Sequence, residues 1–339
     1  MRQLALEVLE KRKNRILDAV VNNYIKTGRP VSSNILIKKC GFSSSTIRSL
    51  MAILEKEGYL THPHISAGRI PTDKGYRFYV DNFIKLNSFF YKKNPKITEK
   101  EYGQKYNEIE IFLSEISCIL SGLSKYIGFV IAPKIQYDKI RNIKLIKISK
   151  KEILVILLTV SGMIKHKVIV TTSIPLNKIK KLQKFLNDKL KNISIAQANE
   201  KIIFEIKIFE ESEISIFKIA QKIGNVFYNI QDDIYIDGII NVDTIVHNFN
   251  NLKLLKAIMR FMKIVNKDFN NKGINVKIGS ENVLKELEDL SLISTVYENN
   301  QCAIGVVGII GPKRMEYKKM ILLVSHVSKI LNNFFKSKK

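Results

Sequence analysis

Ser44, Ser45, Thr46, Arg48 and Ser49 fall within six residues, and His62, His64, Ser66 and Arg69 follow within the next twenty. Hydroxyls, an arginine fork and imidazoles at that density favour hydrogen bonds to phosphates and base edges over covalent chemistry. Small polar side chains make a tip narrow enough for a major groove. Arg48 would then reach a base edge or anchor a phosphate, and a helix N-terminus adds its own attraction for an anion. Each of these residues also suits an ordinary solvated helix face, so the set carries the argument rather than any one member. His62 and His64 flank Pro63, but no third ligand lies near them in the chain, and a metal site is not expected.

Three helices must hold that tip. Ile16, Leu17, Val20, Val21, Tyr24 and Ile25 mark one face of a helix over 13–27, which Gly28 ends and Pro30 keeps from continuing. Ser32 or Ser33 can cap a second helix through Lys39, with Ile35, Leu36 and Ile37 inside. Gly41 supplies the turn into a third, capped by Ser43, Ser44 or Ser45 and running through Lys56. It buries Ile47, Leu50, Met51 and Leu54 and leaves Thr46, Arg48, Ser49 and Ala52 on its polar face. Tyr59 and Leu60 begin a strand, and THPHISAGRIPTD then breaks every regular pattern with two prolines and a glycine. A loop of that kind beside a helix-turn-helix reads as a wing, which would set His64, Ser66 and Arg69 against phosphate or a minor groove. Lys74 to Leu86 forms a further amphipathic stretch linking this head to the body.

The chemistry of an enzyme is missing. There is no Walker loop, dinucleotide fingerprint, HExxH or GxSxG, and Gly305, Gly308 and Gly311 lie in or after an apolar strand. No catalytic residue, cofactor or metal is expected. Cys40, Cys118 and Cys302 are too scattered for a metal or disulfide framework, which fits a reducing compartment.

The 339 residues include 56 Lys and Arg against 31 Asp and Glu, a net charge of +25. That points to a polyanion, with nucleic acid first and a membrane surface second. The lysines are weak support, because residues 1–90 hold 15 basic and 7 acidic side chains, a density close to that of the whole chain. Arginine says more: of ten, seven lie in the first 77 residues, at Arg2, Arg12, Arg15, Arg29, Arg48, Arg69 and Arg77. No apolar run approaches the ~20 residues that span a bilayer, and the N-terminus lacks a secretory segment, so a cytoplasmic protein without membrane contact is expected.

Beyond the head, 91–107 is polar and holds Pro95, and reads as a linker. Ile109, Phe112, Leu113, Ile116, Leu120 and Leu123 then share a helix face. Ile127–Ile131, Ile143–Ile148, Ile153–Thr159 and Met163–Val170 read as strands on their Ile and Val content, followed by a helix to about Lys191. Residues 193–272 look mainly helical, divided by IYIDG, a turn-like segment. Phe249, Leu252, Leu255, Ile258, Met259 and Met262 form an apolar stripe suited to an ordinary core or to a dimer interface. Strands return at Ile274–Ile278, Leu292–Tyr297 and Ala303–Ile310, with a Ser280-capped helix among them. The pattern thus reads as one sheet interrupted near 192 and resumed at 273. Lys313 and Arg314 fall in the first turn of the last helix, where positive charge opposes the dipole; an anion or a partner carboxylate would offset it, but a simple strand-to-helix turn is the expected reading.

YIKTGRPVSS, SSSTIRSLMAILEKEGYL and HPHISAGRIPTDKGYRFYVD closely resemble the HrcA family of bacterial heat-inducible transcription repressors. GSENVLKEL and GVVGIIGPKRMEYKK resemble that family's closing motifs, so the likeness spans nearly the whole chain. The resemblance implies a winged-helix DNA-binding domain, a GAF-like domain and a dimerising domain inserted into it. It also implies a homodimer that represses chaperone operons through an inverted-repeat operator, CIRCE, with the GroE chaperonin as the partner that keeps it active. Two positions depart from the family's Ser-Ser-Ala-Thr-Ile-Arg-Asn: Ser45 replaces the alanine and Ser49 the asparagine. Ser49 lacks the amide that pairs with adenine, which bears on operator preference. Ser32, where the family often has glycine, is a minor change at a cap.

The expectation is an α+β multidomain chain. It comprises a winged helix-turn-helix domain (1–90), a linker (91–107), a GAF-like domain in two parts (108–192 and 273–339) and a mainly helical dimerising insertion (193–272). It would act as a dimeric repressor of heat-shock chaperone operons that loses activity on heat stress. Its partners would be double-stranded operator DNA and a GroE-type chaperonin. The alternatives are a small-molecule-responsive winged-helix regulator sensing through its GAF-like domain, and a general nucleic-acid binder relying on diffuse charge.

Overall fold

A computed structural model describes residues 2–64, 67–87, 109–133, 135–206, 214–228, 233–239, 251–265, 273–299 and 302–337. The linker expected at 91–107, Ser66, and the side chains of Phe249, Leu252, Leu255 and Cys302 lie outside the described residues.

Three helices open the chain: α1 (Arg2–Thr27), α2 (Ser33–Cys40) and α3 (Ser44–Lys56). Their shared core is Ile16, Leu17, Val20, Val21, Leu36, Ile47, Leu50, Met51 and Leu54. Gly41 stops α2 in the left-handed region (φ 68°), where glycine carries no Cβ penalty, and its N–H donates to the Ile37 carbonyl at 2.9 Å. The expectation that Ile35, Leu36 and Ile37 all point inward is corrected: Ile35 and Ile37 are 47% and 38% exposed. An eight-residue helix buries one stripe, here Ser33, Leu36 and Cys40 at spacings of three and four. Strands β1 (Leu60–Thr61) and β2 (Ile70–Pro71) pair antiparallel below α3, and α4 (Asp73–Asn87) leads away.

The body has two sheets. β3 (Ile127–Ile131), β7 (Ile234–Asp237), β8 (Ile274–Ile278), β9 (Leu290–Asn299) and β10 (Cys302–Pro312) form an antiparallel five-stranded sheet in the order β7-β3-β10-β9-β8. One face is covered by α5 (Ile109–Ser124) and α10 (Tyr317–Ser337), whose Phe112 and Phe334 rings stack at 3.9 Å. On the other face, Ala257, Ile258, Phe261 and Met262 of α9 (Asn251–Val265) pack against Ile127, Phe129, Ile131, Leu292 and Val306. That part of the Met-rich stripe is therefore core, while Met259 is exposed.

The second sheet holds β4 (Ile140–Lys147), β5 (Glu152–Thr159) and β6 (Ile164–Val170), paired antiparallel in that order, with α6 (Leu176–Leu190), α7 (Ile195–Ile206) and α8 (Ile214–Tyr228) beside it. The expected single sheet resuming at 273 is corrected here. β4 to β6 leave that sheet, and IYIDG, read as a turn, is its edge strand β7. Ile and Val content marks a strand but not its partner. Chain closure makes the division plain, because the Ala132 N–H donates to the Asp233 carbonyl at 2.8 Å where the chain leaves and re-enters the large sheet.

Two smaller corrections follow from side-chain spacing. Leu123 is 50% exposed, because Leu120 and Ser124 take the inward positions of α5. The Ser280-capped helix is replaced by two three-residue 3-10 turns, at Gly279–Glu281 and Lys285–Leu287.

Head and body are joined through α4. Tyr76 packs on Tyr317 with ring centroids 5.7 Å apart. Asp73 accepts the Ser280 N–H at 2.9 Å and faces the Lys313 ammonium at 3.3 Å. Lys313 and Arg314 precede α10 rather than opening it, in the strand-to-helix turn expected there, and Lys313 is offset by Asp73. At the turn after α1, Gly28 sits at φ 67° with the Arg314 guanidinium where a side chain would project.

Candidate nucleic-acid interface

The third helix presents its polar side because its other side is needed for the core. Ile47 and Leu54 are fully or almost fully buried, and the register leaves Ser45, Arg48, Ser49 and Ala52 exposed. Of the three serines offered as caps, Ser43 is the one used: its Oγ accepts the Thr46 N–H at 3.2 Å. It also lies 2.9 Å from Ser45 Oγ and 2.8 Å from Thr46 Oγ1, so the hydroxyls at the tip form one network. Thr46 is half-buried by those contacts. Ser44 turns back toward α2, where its Oγ is 3.0 Å from Ser33 Oγ and donates to Asn34 Oδ1 at 3.2 Å.

Arg48 is steered from the same place. Its Nε donates to the buried Ser33 Oγ at 3.2 Å, and it has no other partner among the described residues. The guanidinium therefore leaves its terminal nitrogens at the surface of α3. Two arginines of α1 stand beside the tip: Arg12 and Arg15 lie 5.6 and 5.7 Å from the centre of the Phe42 ring, one residue before the cap. A further tie fixes α1 to the far end of α3, where the buried Lys13 Nζ meets Glu57 at 2.6 Å and Glu10 at 2.8 Å.

The loop between β1 and β2 is held differently from the expectation. His64 is exposed, and among the described residues only its backbone is engaged, its carbonyl accepting the Ala67 N–H at 2.9 Å. Arg69 instead gives its fork to Glu55 in the last turn of α3, Nε at 2.8 Å and Nη2 at 2.7 Å from the same Oε2. His62 Nδ1 contacts the other oxygen of Glu55. Burial works against the charge on Glu55. The hydrogen bond from His62, with the charge and hydrogen bond of Arg69, outweighs it and holds the carboxyl below its usual range.

The structure thus brings Ser44, Ser45, Thr46, Arg48 and Ser49 together at one helix end, with His64 on the neighbouring loop. Sequence reading missed Ser33, Glu55 and the placement of Arg12 and Arg15. The two arginines were visible in the arginine cluster, but nothing in the spacing linked residue 12 to residue 42. Among the described residues no three His, Cys, Asp or Glu are grouped to hold a metal ion, and no helix is long and apolar enough to cross a membrane.

Comparison with known proteins adds a second line. Residues 110–321 match a family described as HrcA protein C terminal domain. The heat-inducible transcription repressor HrcA of Acetivibrio thermocellus is 33% identical over 332 residues, covering 94% of each chain. That of Bacillus pumilus is 32% identical, covering 96% of this chain and 98% of its own. That of Thermoanaerobacter pseudethanolicus is 34% identical, covering 97% of this chain and 98% of its own. A solved structure described as a hypothetical protein, 24% identical, aligns with a TM-score of 0.66 over 97% of this chain and 99% of that one, and so shares the fold.

Proposed function

The chain belongs to the HrcA family of heat-inducible transcription repressors, a non-catalytic family, and from that premise we propose that it represses chaperone operons as a dimer on an inverted-repeat, CIRCE-type operator. Residues 1–90 are the winged helix-turn-helix head. α3 enters the major groove with Ser45, Arg48 and Ser49 toward base edges, while Ser44 and Thr46 shape its tip. Arg12, Arg15 and His64 meet phosphates on either side. The observation that carries this reading is the exposed guanidinium of Arg48, aimed from a helix whose opposite face is fully packed.

The five-stranded sheet with α5, α9 and α10 is taken as the GAF-like domain, and β4 to β6 with α6 to α8 as the dimerising insertion. Its limits then fall near 132 and 233, where the chain closes on itself, in place of 193 and 272. The outer face of the small sheet supports a dimer. Leu154 of β5 pairs with Ile146 on one side and Val168 on the other, and Ile164, Val168 and Val170 are 51%, 46% and 61% exposed. Aliphatic rows left open to water in this way favour a second protein surface. A GroE-type chaperonin is the partner that keeps the repressor folded, and heat, by diverting it, releases the operator.

The decisive experiment is competition between operator and scrambled duplex at physiological salt. Preference for the operator is expected. Equal binding with a steep salt dependence would leave only a general nucleic-acid binder.

One observation favours a second reading, a ligand-responsive regulator. A cavity of about 690 Å³ lies between β6 and β7, lined by Glu110, Met163, Lys165, His166, Asp233 and Tyr235 among others. A thermal shift with small metabolites but not with chaperonin would support that reading.

A further inference from the structure

Glu55 has no place among the DNA-contacting residues, and it is an acidic group on the helix proposed to face a polyanion. Its geometry explains its presence. One carboxylate receives both ends of the loop between β1 and β2: His62 at the entry on one oxygen, and the Arg69 fork at the exit on the other. Arg69 is also fixed through its backbone, exchanging hydrogen bonds of 2.9 Å in both directions with the fully buried Val31, two residues before α2. Beside it, Gly68 lies so close to the Val31 carbonyl that a Cβ would overlap it. The two ends of the loop are therefore tied to α3, and its exit also to the segment leading into α2.

Resting on the proposed reading of the head, we infer that Glu55 is a positioning residue that sets the wing relative to the recognition helix, and that Arg69 acts through Glu55 rather than on a phosphate. Nε and Nη2 are both committed to one carboxylate oxygen, and Nη1 donates to the Ala67 carbonyl of the same loop at 3.4 Å. Turning that Nε–Nη2 edge to DNA would first break the bond that holds the loop.

The test uses the full chain and anisotropy titration of operator and scrambled duplexes over a range of salt. Simple charge logic says that Glu55→Gln, by removing an anion, tightens all DNA binding. The inference requires the opposite for operator: a loss of about tenfold, with scrambled-duplex affinity and salt slope unchanged. Arg69→Lys, which keeps the charge but not the fork, should lose operator affinity as Glu55→Gln does, and the double variant should add less than about twofold. The inference is overturned if Glu55→Gln leaves operator binding unchanged. It is also overturned if Arg69→Lys binds like wild type while Arg69→Gln lowers the salt slope by about one, the mark of a phosphate contact.

If wild type fails to distinguish operator from scrambled duplex, the functional reading falls instead. The role of Glu55 is then decided in the free chain by amide exchange at Val31 and Arg69. Faster exchange in Glu55→Gln sustains it, and unchanged exchange overturns it.

Discussion

Arg77 on α4 donates through Nε to Glu281 of the body at 2.8 Å, across 204 residues of chain. The same guanidinium bonds the Val276 carbonyl and lies 3.4 Å from Asp81. Both side chains are partly exposed, so the pair alone is worth only ~0.2–1 kcal/mol. Its value lies in joining two units. Arg77→Ala is expected to split thermal unfolding into separable head and body transitions, where wild type melts as one. Coincident transitions in the variant would show that the Tyr76–Tyr317 contact holds the junction without it.

Arg48→Ala should weaken operator binding by ~1–3 kcal/mol while circular dichroism shows an intact fold. Ser33→Ala, which removes the hydroxyl that steers the guanidinium and also meets Ser44, should give a smaller loss. Operator affinity unchanged in Arg48→Ala would take this residue out of the interface.

Tyr76 and Tyr317 share a buried contact but differ in satisfaction. The Tyr317 hydroxyl donates to the Lys313 carbonyl at 2.7 Å, whereas that of Tyr76 is buried without a hydrogen-bond partner among the described residues. Tyr317→Phe should cost ~1 kcal/mol of stability, and Tyr76→Phe should be neutral or stabilising by a similar amount. Burial raises the pKa of both above the ordinary tyrosine value. Near pH ~10 the unfolded chain loses these protons while the folded chain keeps them, so stability falls as pH rises through that range. The fall should be shallower in Tyr76→Phe, as denaturant titrations at pH 9 and 11 would show.

Val168→Asp on the open face of the small sheet should convert a dimer to a monomer by light scattering without changing the monomer's fold, since Val168 is 46% exposed. It should also weaken binding to the full inverted repeat more than to a half-site. A dimer that persists would move the interface elsewhere.

The head was the most legible part of the chain. Its helices announce themselves by spacing, and Ile47, Leu50, Met51 and Leu54 are buried as their register requires. Strand positions in the body were also readable: Ile127–Ile131 and Ile274–Ile278 begin and end as their composition dictates. Which strands share a sheet was not readable. Ile153 and Ile293 look alike in sequence, yet they sit in different sheets, because pairing is decided by closure over long separations and not by local preference. The same limit applies to the interface. The exposed serines and Arg48 follow from helical period, but the bond from Arg69 to Glu55 links a loop to a helix end, and no periodicity marks it.

The position of β3 has a consequence for how the chain is made. β3 lies between β7 and β10, so both of its edges stay unpaired until residues 234–237 and 302–312 have been synthesised. Contacts closed over such separations form late, because loop-closure entropy must be overcome before they stabilise anything. In the interval, Ile-Gly-Phe-Val-Ile at 127–131, wholly buried in the finished sheet, is an open and sticky strand. Those five residues are laid down long before the segments that will cover them.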